Sequence, residues 1–297
     1  MAETYVFYQN QGNGGNLMYS TAPDQDPKLL DSQIGITAGP SAVMFQNKLY
    51  CFRQRKGNGG KLWYNTSSDG ENWQDNTEIG VANMSQGPSA VVFQDKLYCF
   101  TQGKNNNGQL WYVNSSNGNN WSSHLHVSNA NMAGSPSAVV FQDKLYCFHQ
   151  GRTAVTGANG QLWYLTSSDG NSWSQNIQVK AANMSESPSA VVFQDKLYCF
   201  HQGRTPTGGA NGQLWYLVYD GDEWSEEMLV PGTGMSESPS AMVLGDELYC
   251  FYQGESKAGT LWCDYSADGK NWREEKWSGD KIMSASPSAV LVPFSDG

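Results

Sequence analysis

The chain has 297 residues, of which only 15% are charged and 12% aromatic, with 32 glycines: the profile of a turn-rich all-β protein rather than a helical one. Its 18 Lys+Arg against 28 Asp+Glu leave a net charge of −10, and such a surface repels phosphate backbones, which sets nucleic acid aside as a partner. No stretch approaches the roughly 18 apolar residues of a membrane helix, and the opening MAETYVFYQNQ lacks the basic and apolar regions of a signal peptide. The expectation is a soluble protein made in the cytosol, without membrane insertion and released, if at all, by a non-classical route.

The first predicted strand is Tyr5–Gln9. A phrase [GS]-P-S-A follows at Pro40 and recurs at Pro88, Pro136, Pro188, Pro239 and Pro287, a step of about 48–52 residues that signals a repeat architecture. A second phrase, LWY or a variant, recurs at Met18-Tyr19, Trp63, Trp111, Trp163, Trp215 and Trp262. Both markers count six, and residues 135–153 and 187–205 are the same nineteen letters, SPSAVVFQDKLYCFHQGRT. In the fourth full unit the pattern predicts strands at Pro188–Phe193, Leu197–Gln202, Gln213–Val218 and Trp224–Leu229. The last turn of each unit carries Asp69-Gly70, Asn117-Gly118, Asp169-Gly170, Asp220-Gly221 or Asp268-Gly269, dipeptides that tolerate the positive φ of tight hairpins. The last predicted strand is Pro287–Val292.

In Leu197–Gln202 large apolar groups fall on both faces, so each four-stranded meander must be covered on both sides. The chain begins at a second strand and ends after a first one, so each end supplies what the other lacks. Residues 1–297 are therefore read as one all-β domain: a six-bladed β-propeller, four antiparallel strands per blade, closed by the C-terminal strand joining the N-terminal blade. Cys51, Cys99, Cys147, Cys199 and Cys250 fill one slot that holds Val6 in the first copy, the behaviour of a small buried hydrophobe. Neither a zinc spacing nor a cofactor fingerprint is present, so no metal or cofactor is expected.

With the first strand innermost, the second-to-third loops and the links between blades share one face, and the Gln-Asp-Lys and Asp-Gly turns share the other. The link face varies among copies in loop length and identity, as binding faces do. The LWY tryptophans are either inter-blade packing or flat surfaces for a sugar ring. Trp73, Trp121, Trp173, Trp224 and Trp272 belong to the opposite end and are read as structural. Gln9, Gln54, Gln102, Gln150, Gln202 and Gln253 fill one slot, fitting an inter-blade hydrogen bond or a ligand contact. Met84, Met132, Met184, Met235 and Met283 are read as core. Glu186 and Glu237, in different seams, are expected to lie farther apart than the roughly 5–9.5 Å of glycosidase carboxylates, and no catalytic motif is present; the chain is expected not to be an enzyme.

The phrases MSESPSAVVF (184–193), KLYCFHQG (196–203) and NGQLWY (159–164 and 211–216) resemble those of the Photorhabdus-type bacterial β-propeller lectins, over essentially the whole chain. The resemblance implies a lectin with several pockets between adjacent blades, recognising L-fucose or O-methylated sugars on cell-surface glycans. By position, it implies pocket elements Ser185 and Glu186 with His201, Gln202, Arg204 and Trp215. The counterparts are His149, Gln150, Arg152 and Trp163; Ser236, Glu237, Gln253 and Trp262; and Ser85, Gln86, Gln102 and Trp111. That family usually has seven blades, so six change the ring curvature. Single sites would bind at millimolar to micromolar, about −4 to −8 kcal/mol, with avidity adding ~10²–10⁴. A protein-interaction scaffold is the alternative, and a homo-oligomer stays open.

Overall fold

The computed structural model describes residues 2–11, 15–23, 25–57, 59–74, 76–104, 107–153, 157–255, 259–277 and 283–293. Their strands form six four-stranded sheets. Blades two to six run within Ser41–Asn83, Ser89–Val127, Met132–Val179, Ser189–Leu229 and Met235–Lys276. Blade one takes its inner strand from the far end of the chain: Ser288–Pro293 pairs antiparallel with Ala2–Gln9, from Ala2↔Pro293 to Phe7↔Ser288. Among the described residues no helix is long and apolar enough to cross a membrane.

Blade five shows how the repeat packs. Phe200, Leu214 and Tyr216 alternate toward blade six, where they meet Met235, Leu248 and Cys250. Leu197, Cys199 and Leu217 point the other way, onto Phe148 and Leu162 of blade four, with Met184 of the link between the two blades in the same cluster. Each sheet is thus apolar on both faces because each is sandwiched. All six cysteines are free and buried, and burial pushes the Cys51 thiol up to about 12, leaving no thiolate at neutral pH.

The predicted outer strand of blade five shrinks from Trp224–Leu229 to Met228–Leu229. Trp224 keeps only an isolated bridge to Tyr219, and its ring stands edge-on against Phe148 of blade four. The same edge contact joins Trp73 to Phe7, Trp121 to Phe52, Trp173 to Phe100 and Trp272 to Phe200, with centroids 5.5–5.8 Å apart at 87–90°. Blade one has no such tryptophan; at the closing seam Trp277, from the end of blade six, packs edge-on against Phe251 at 4.8 Å.

Around the axis the serine after each repeated proline ties neighbouring inner strands. Ala90 N donates to Ser41 Oγ, Ala138 N to Ser89, Ala190 N to Ser137, Ala241 N to Ser189, Ala289 N to Ser240 and Ala42 N to Ser288, all at 2.9–3.0 Å. The last of these closes the ring. Inner strands of different blades cannot form a ladder with one another, so a side-chain oxygen satisfies the N–H instead.

On the opposite face, Gln94-Asp95, Gln142-Asp143 and Gln194-Asp195 turn with φ of 46–57° at both positions, the primed hairpin geometry. Gln94 Nε2 reaches Ser168 O of blade four at 3.0 Å and Gln194 Nε2 reaches Ala267 O of blade six at 3.1 Å, contacts that hold the glutamine. The aspartates make no such bond. Replacing Asp95, Asp143 and Asp195 together by glycine should relieve the left-handed conformation by about 0.5 kcal/mol each, net of the freedom glycine gains when unfolded. Differential scanning calorimetry should show the melting temperature rising by a few degrees.

Candidate ligand-binding site

Each inter-blade link crosses the end of its own blade's second strand: Met84 bridges Gly103, and Met184 bridges Gly203. The repeated glutamine then spans the next seam. Gln102 Nε2 donates to Met132 O at 2.9 Å, Gln150 Nε2 to Met184 O at 3.0 Å and Gln202 Nε2 to Met235 O at 2.8 Å. The Ser85 hydroxyl donates to Gln102 Oε1 at 3.0 Å, and that of Ser185 to Gly203 O at 3.0 Å. These glutamines are nearly inaccessible, with 0–4% of their surface exposed, so the link face is stitched by the amides. Ser236 and Gln253 face one another across the first two strands of blade six.

The LWY tryptophans Trp63, Trp111, Trp163, Trp215 and Trp262 are all half-buried. Behind two of them sit the histidines: His149 pairs with Trp163 and His201 with Trp215 in the strand register, and both are fully buried. They therefore brace the site from within and offer no surface to a ligand. His149 Nδ1 meets the Gln150 carbonyl at 3.1 Å and Nε2 meets the Asn176 side chain at 3.1 Å. Burial pushes its pKa down, so the ring is neutral and its single proton serves one of two acceptors, the Gln150 carbonyl or Asn176 Oδ1. His201 Nε2 instead lies 2.9 Å from Glu227 Oε1, a carboxylate that also accepts from Asn183 N. The half-buried Arg204 bonds Gly208 O through Nε at 3.1 Å. It lies against Gly160 of blade four, where an added Cβ would stand 1.9 Å from its guanidinium.

The concave site at the axis was not expected. Where the links converge, a cavity of about 540 Å³ opens on the link face, lined by Gln86, Gln150, Arg152, Ser185, Glu186 and Glu237 together with serines from several blades. It gathers six of the residues singled out in the sequence. Ser85, Gln102, Trp111, His149, Trp163, His201, Gln202, Arg204, Trp215, Ser236, Gln253 and Trp262 are not among its lining residues. Glu186 and Glu237, one repeat apart, both line the cavity, and the Glu237 charge adds to burial in raising the Glu186 pKa. Burial alone raises that of Glu237, which is held at φ +65° where its blade-four counterpart is Gly134 at +74°.

A carboxyl whose pKa is raised on folding stabilises the fold below its ordinary titration range, and that contribution is lost as pH rises through the raised value. The Glu186→Gln, Glu237→Gln double variant should therefore melt above the parent at about pH 7 and converge with it near pH 3.5, below the ordinary carboxyl range; thermal melts across that range check it.

Similar architectures occur among solved structures. A lectin from Burkholderia pseudomallei superposes with TM-score 0.67 at 15% identity, covering 95% of this chain and 81% of that one. The six-bladed fungal lectin of Aleuria aurantia gives 0.63 at 14%, covering 93% and 90%. A GH43 enzyme from Xanthomonas citri gives 0.53 at 13%, covering 75% and 83%. At such identities the likeness is one of fold. No curated protein sequence matches the chain. The model of one family matches it twice, over residues 27–124 and 80–177, together more than half its length. With its repeated meanders and the closure by Ser288–Pro293, the chain belongs to the DUF6242 beta propeller domain family.

Proposed function

We propose that this protein is a multivalent glycan-binding propeller that holds sugars on its link face against the LWY indoles, with L-fucose or O-methylated sugars as the ligand class. The observation that carries the reading is one indole at the same half-buried slot in five of six blades. A flat apolar face beside polar loops suits the C–H side of a pyranose, and rigid aromatic anchors bind at low entropic cost. The Asn211 amide supplies a polar group beside Trp215, and the Asn159 amide does the same beside Trp163. In support, the Aleuria aurantia lectin of the same fold is described by a fucose recognition mode.

The test is a glycan array with the intact protein and Trp215→Ala. Selective binding to fucosylated or methylated glycans is expected, weakened roughly tenfold or more by the loss of one aromatic anchor. A blank array from folded protein would sink the reading and favour a protein partner. A second reading follows from the carboxylates in the axial cavity: hydrolysis of a glycoside with Glu186 and Glu237 as the acid pair. Release of phenol from aryl glycosides, abolished by Glu186→Gln, would replace binding with hydrolysis; intact glycosides would leave binding alone.

A further inference from the structure

The five LWY indoles are not equivalent, and the difference traces to the residue after the repeated glutamine. In blades three, four, five and six that residue is Gly103, Gly151, Gly203 and Gly254; in blade two it is Arg55, and in blade one, which has Met18 in place of the indole, it is Asn10. A Cβ at Gly203 would stand 2.6 Å from both Cδ1 and Nε1 of Trp215, and one at Gly151 would stand 2.6 Å from Trp163 Nε1 and 2.7 Å from its Cδ1. Glycine is thus the residue that lets the indole edge lie down on the strand, with only an asparagine amide, Asn211 at Trp215 and Asn159 at Trp163, sharing that corner. Where the Cβ exists, a side chain follows it: the Arg55 guanidinium sits over the Trp63 ring, 4.8 Å from its centroid, within the range of about 6 Å at which a cation is held by an indole face.

Blade three is covered in another way. Trp111 carries two imidazoles from its own outer segment, His124 at 4.8 Å and 30° and His126 at 4.6 Å and 34°. Trp163 and Trp215, among the described residues, have neither a stacked ring nor a cation on their faces, their register partners His149 and His201 being fully buried. These are the indoles of the two blades that share the nineteen-residue phrase, each followed by an arginine, Arg152 or Arg204.

We propose that the side chain lying on each indole gates its blade: glycine after the repeated glutamine adds no cover of its own, and arginine there closes the face by occupying the place the ligand would take. Arg55 acts as a built-in competitor at blade two, the His124–His126 pair fills the same role at blade three, and blades four and five hold open sites. The arrangement also defines the ligand chemistry, since the groups that settle on the covered indoles are a planar cation and flat imidazoles. The open faces at Trp163 and Trp215 accept a flat ligand edge with positively polarised hydrogens, as the C–H face of a sugar provides.

The inference rests on the sugar reading only for its ligand arm, and the experiment separates the two. Indole oxidation by N-bromosuccinimide, mapped by mass spectrometry, reads which rings are open without any sugar present. Trp163 and Trp215 should react before Trp63 and Trp111 in the parent, and Arg55→Gly should bring Trp63 up to the rate of Trp215. That variant keeps the backbone bridge between Ile36 and residue 55, so it is expected to fold. The reciprocal Gly203→Arg should protect Trp215; if it does not fold, the Arg55→Gly arm decides. Titration with methyl α-L-fucoside should then show one more site per chain in Arg55→Gly and one fewer in Gly203→Arg. Trp63 reacting as fast as Trp215 in the parent, or unchanged in Arg55→Gly, would overturn the gate. A gained reactivity with no fucoside bound by any variant would keep the gate and remove the sugar.

Discussion

Removing residues 286–297 is expected to leave no folded monomer. Blade one would lose the strand that pairs with Ala2–Gln9, and Tyr5, Phe7 and Leu17 would lose the Val292 contact in a cluster that now excludes water. Three axial bonds would go as well, those made by Ser286, Ser288 and Ala289 with Ser238, Ala42 and Ser240. What remains is an arc with a long apolar edge strand, a template for pairing with other chains. Several kcal/mol would be lost from a total that for a typical domain is about 5–15 kcal/mol. Size-exclusion chromatography with light scattering should find aggregate, and a synthetic peptide of residues 284–294 added during refolding should recover monomer. A truncated chain that runs as monomer and melts like the parent would show that the closure is dispensable.

The second large effect concerns the edge contacts that join the blades. Phe200 is fully buried and is met by Trp272 of the next blade at 5.6 Å and 90°. Phe200→Ala should cost about 3–5 kcal/mol, the lost transfer energy plus the cavity left in a close-packed interior. Trp272→Ala removes the other half of the same contact, so the two losses should not add. The double variant should recover about 0.5–1.5 kcal/mol relative to the sum, the part belonging to the aromatic pair. Urea unfolding of the four proteins measures the cycle. Full additivity would mean the tryptophan merely covers the turn and does not join the blades.

Much of the fold was legible because each blade repeats one solution to one packing problem. Both-sided apolar strands such as Leu197–Gln202 required neighbours on either side, and the complementary ends required closure. The missed detail at Trp224 is of a different kind. Its place after Asp220-Gly221 reads as the start of a strand, but the ring is drawn out to Phe148 of the preceding blade, a partner that sequence spacing does not name.

The site was legible by slot and less so by role. Trp163 and Trp215 are half-buried at the link face, whereas His149 and His201, which vary from copy to copy like surface residues, are fully buried. The variety of that slot goes with a different polar partner in each blade: His124 for Thr101, Asn176 for His149, Glu227 for His201 and Glu274 for Tyr252. Only beside Gly103, Gly151, Gly203 and Gly254 does Arg55 stand out, as one of two side chains, with Asn10, in a slot of glycines.

By itself the sequence determined the number of blades, the order of strands within each and the face on which variation collects. Those follow from the period of the apolar pattern and from turn chemistry, which are local. The tertiary structure decided what the ring brings together: the axial cavity in which Gln86, Glu186 and Glu237 meet, the serine ring around it, and the indoles that are covered or open. These are contacts between residues about fifty or more positions apart, or between a side chain and the ring it happens to lie upon. They depend on how closed sheets converge on an axis and on whether a Cβ is present beneath an indole, neither of which a linear pattern records.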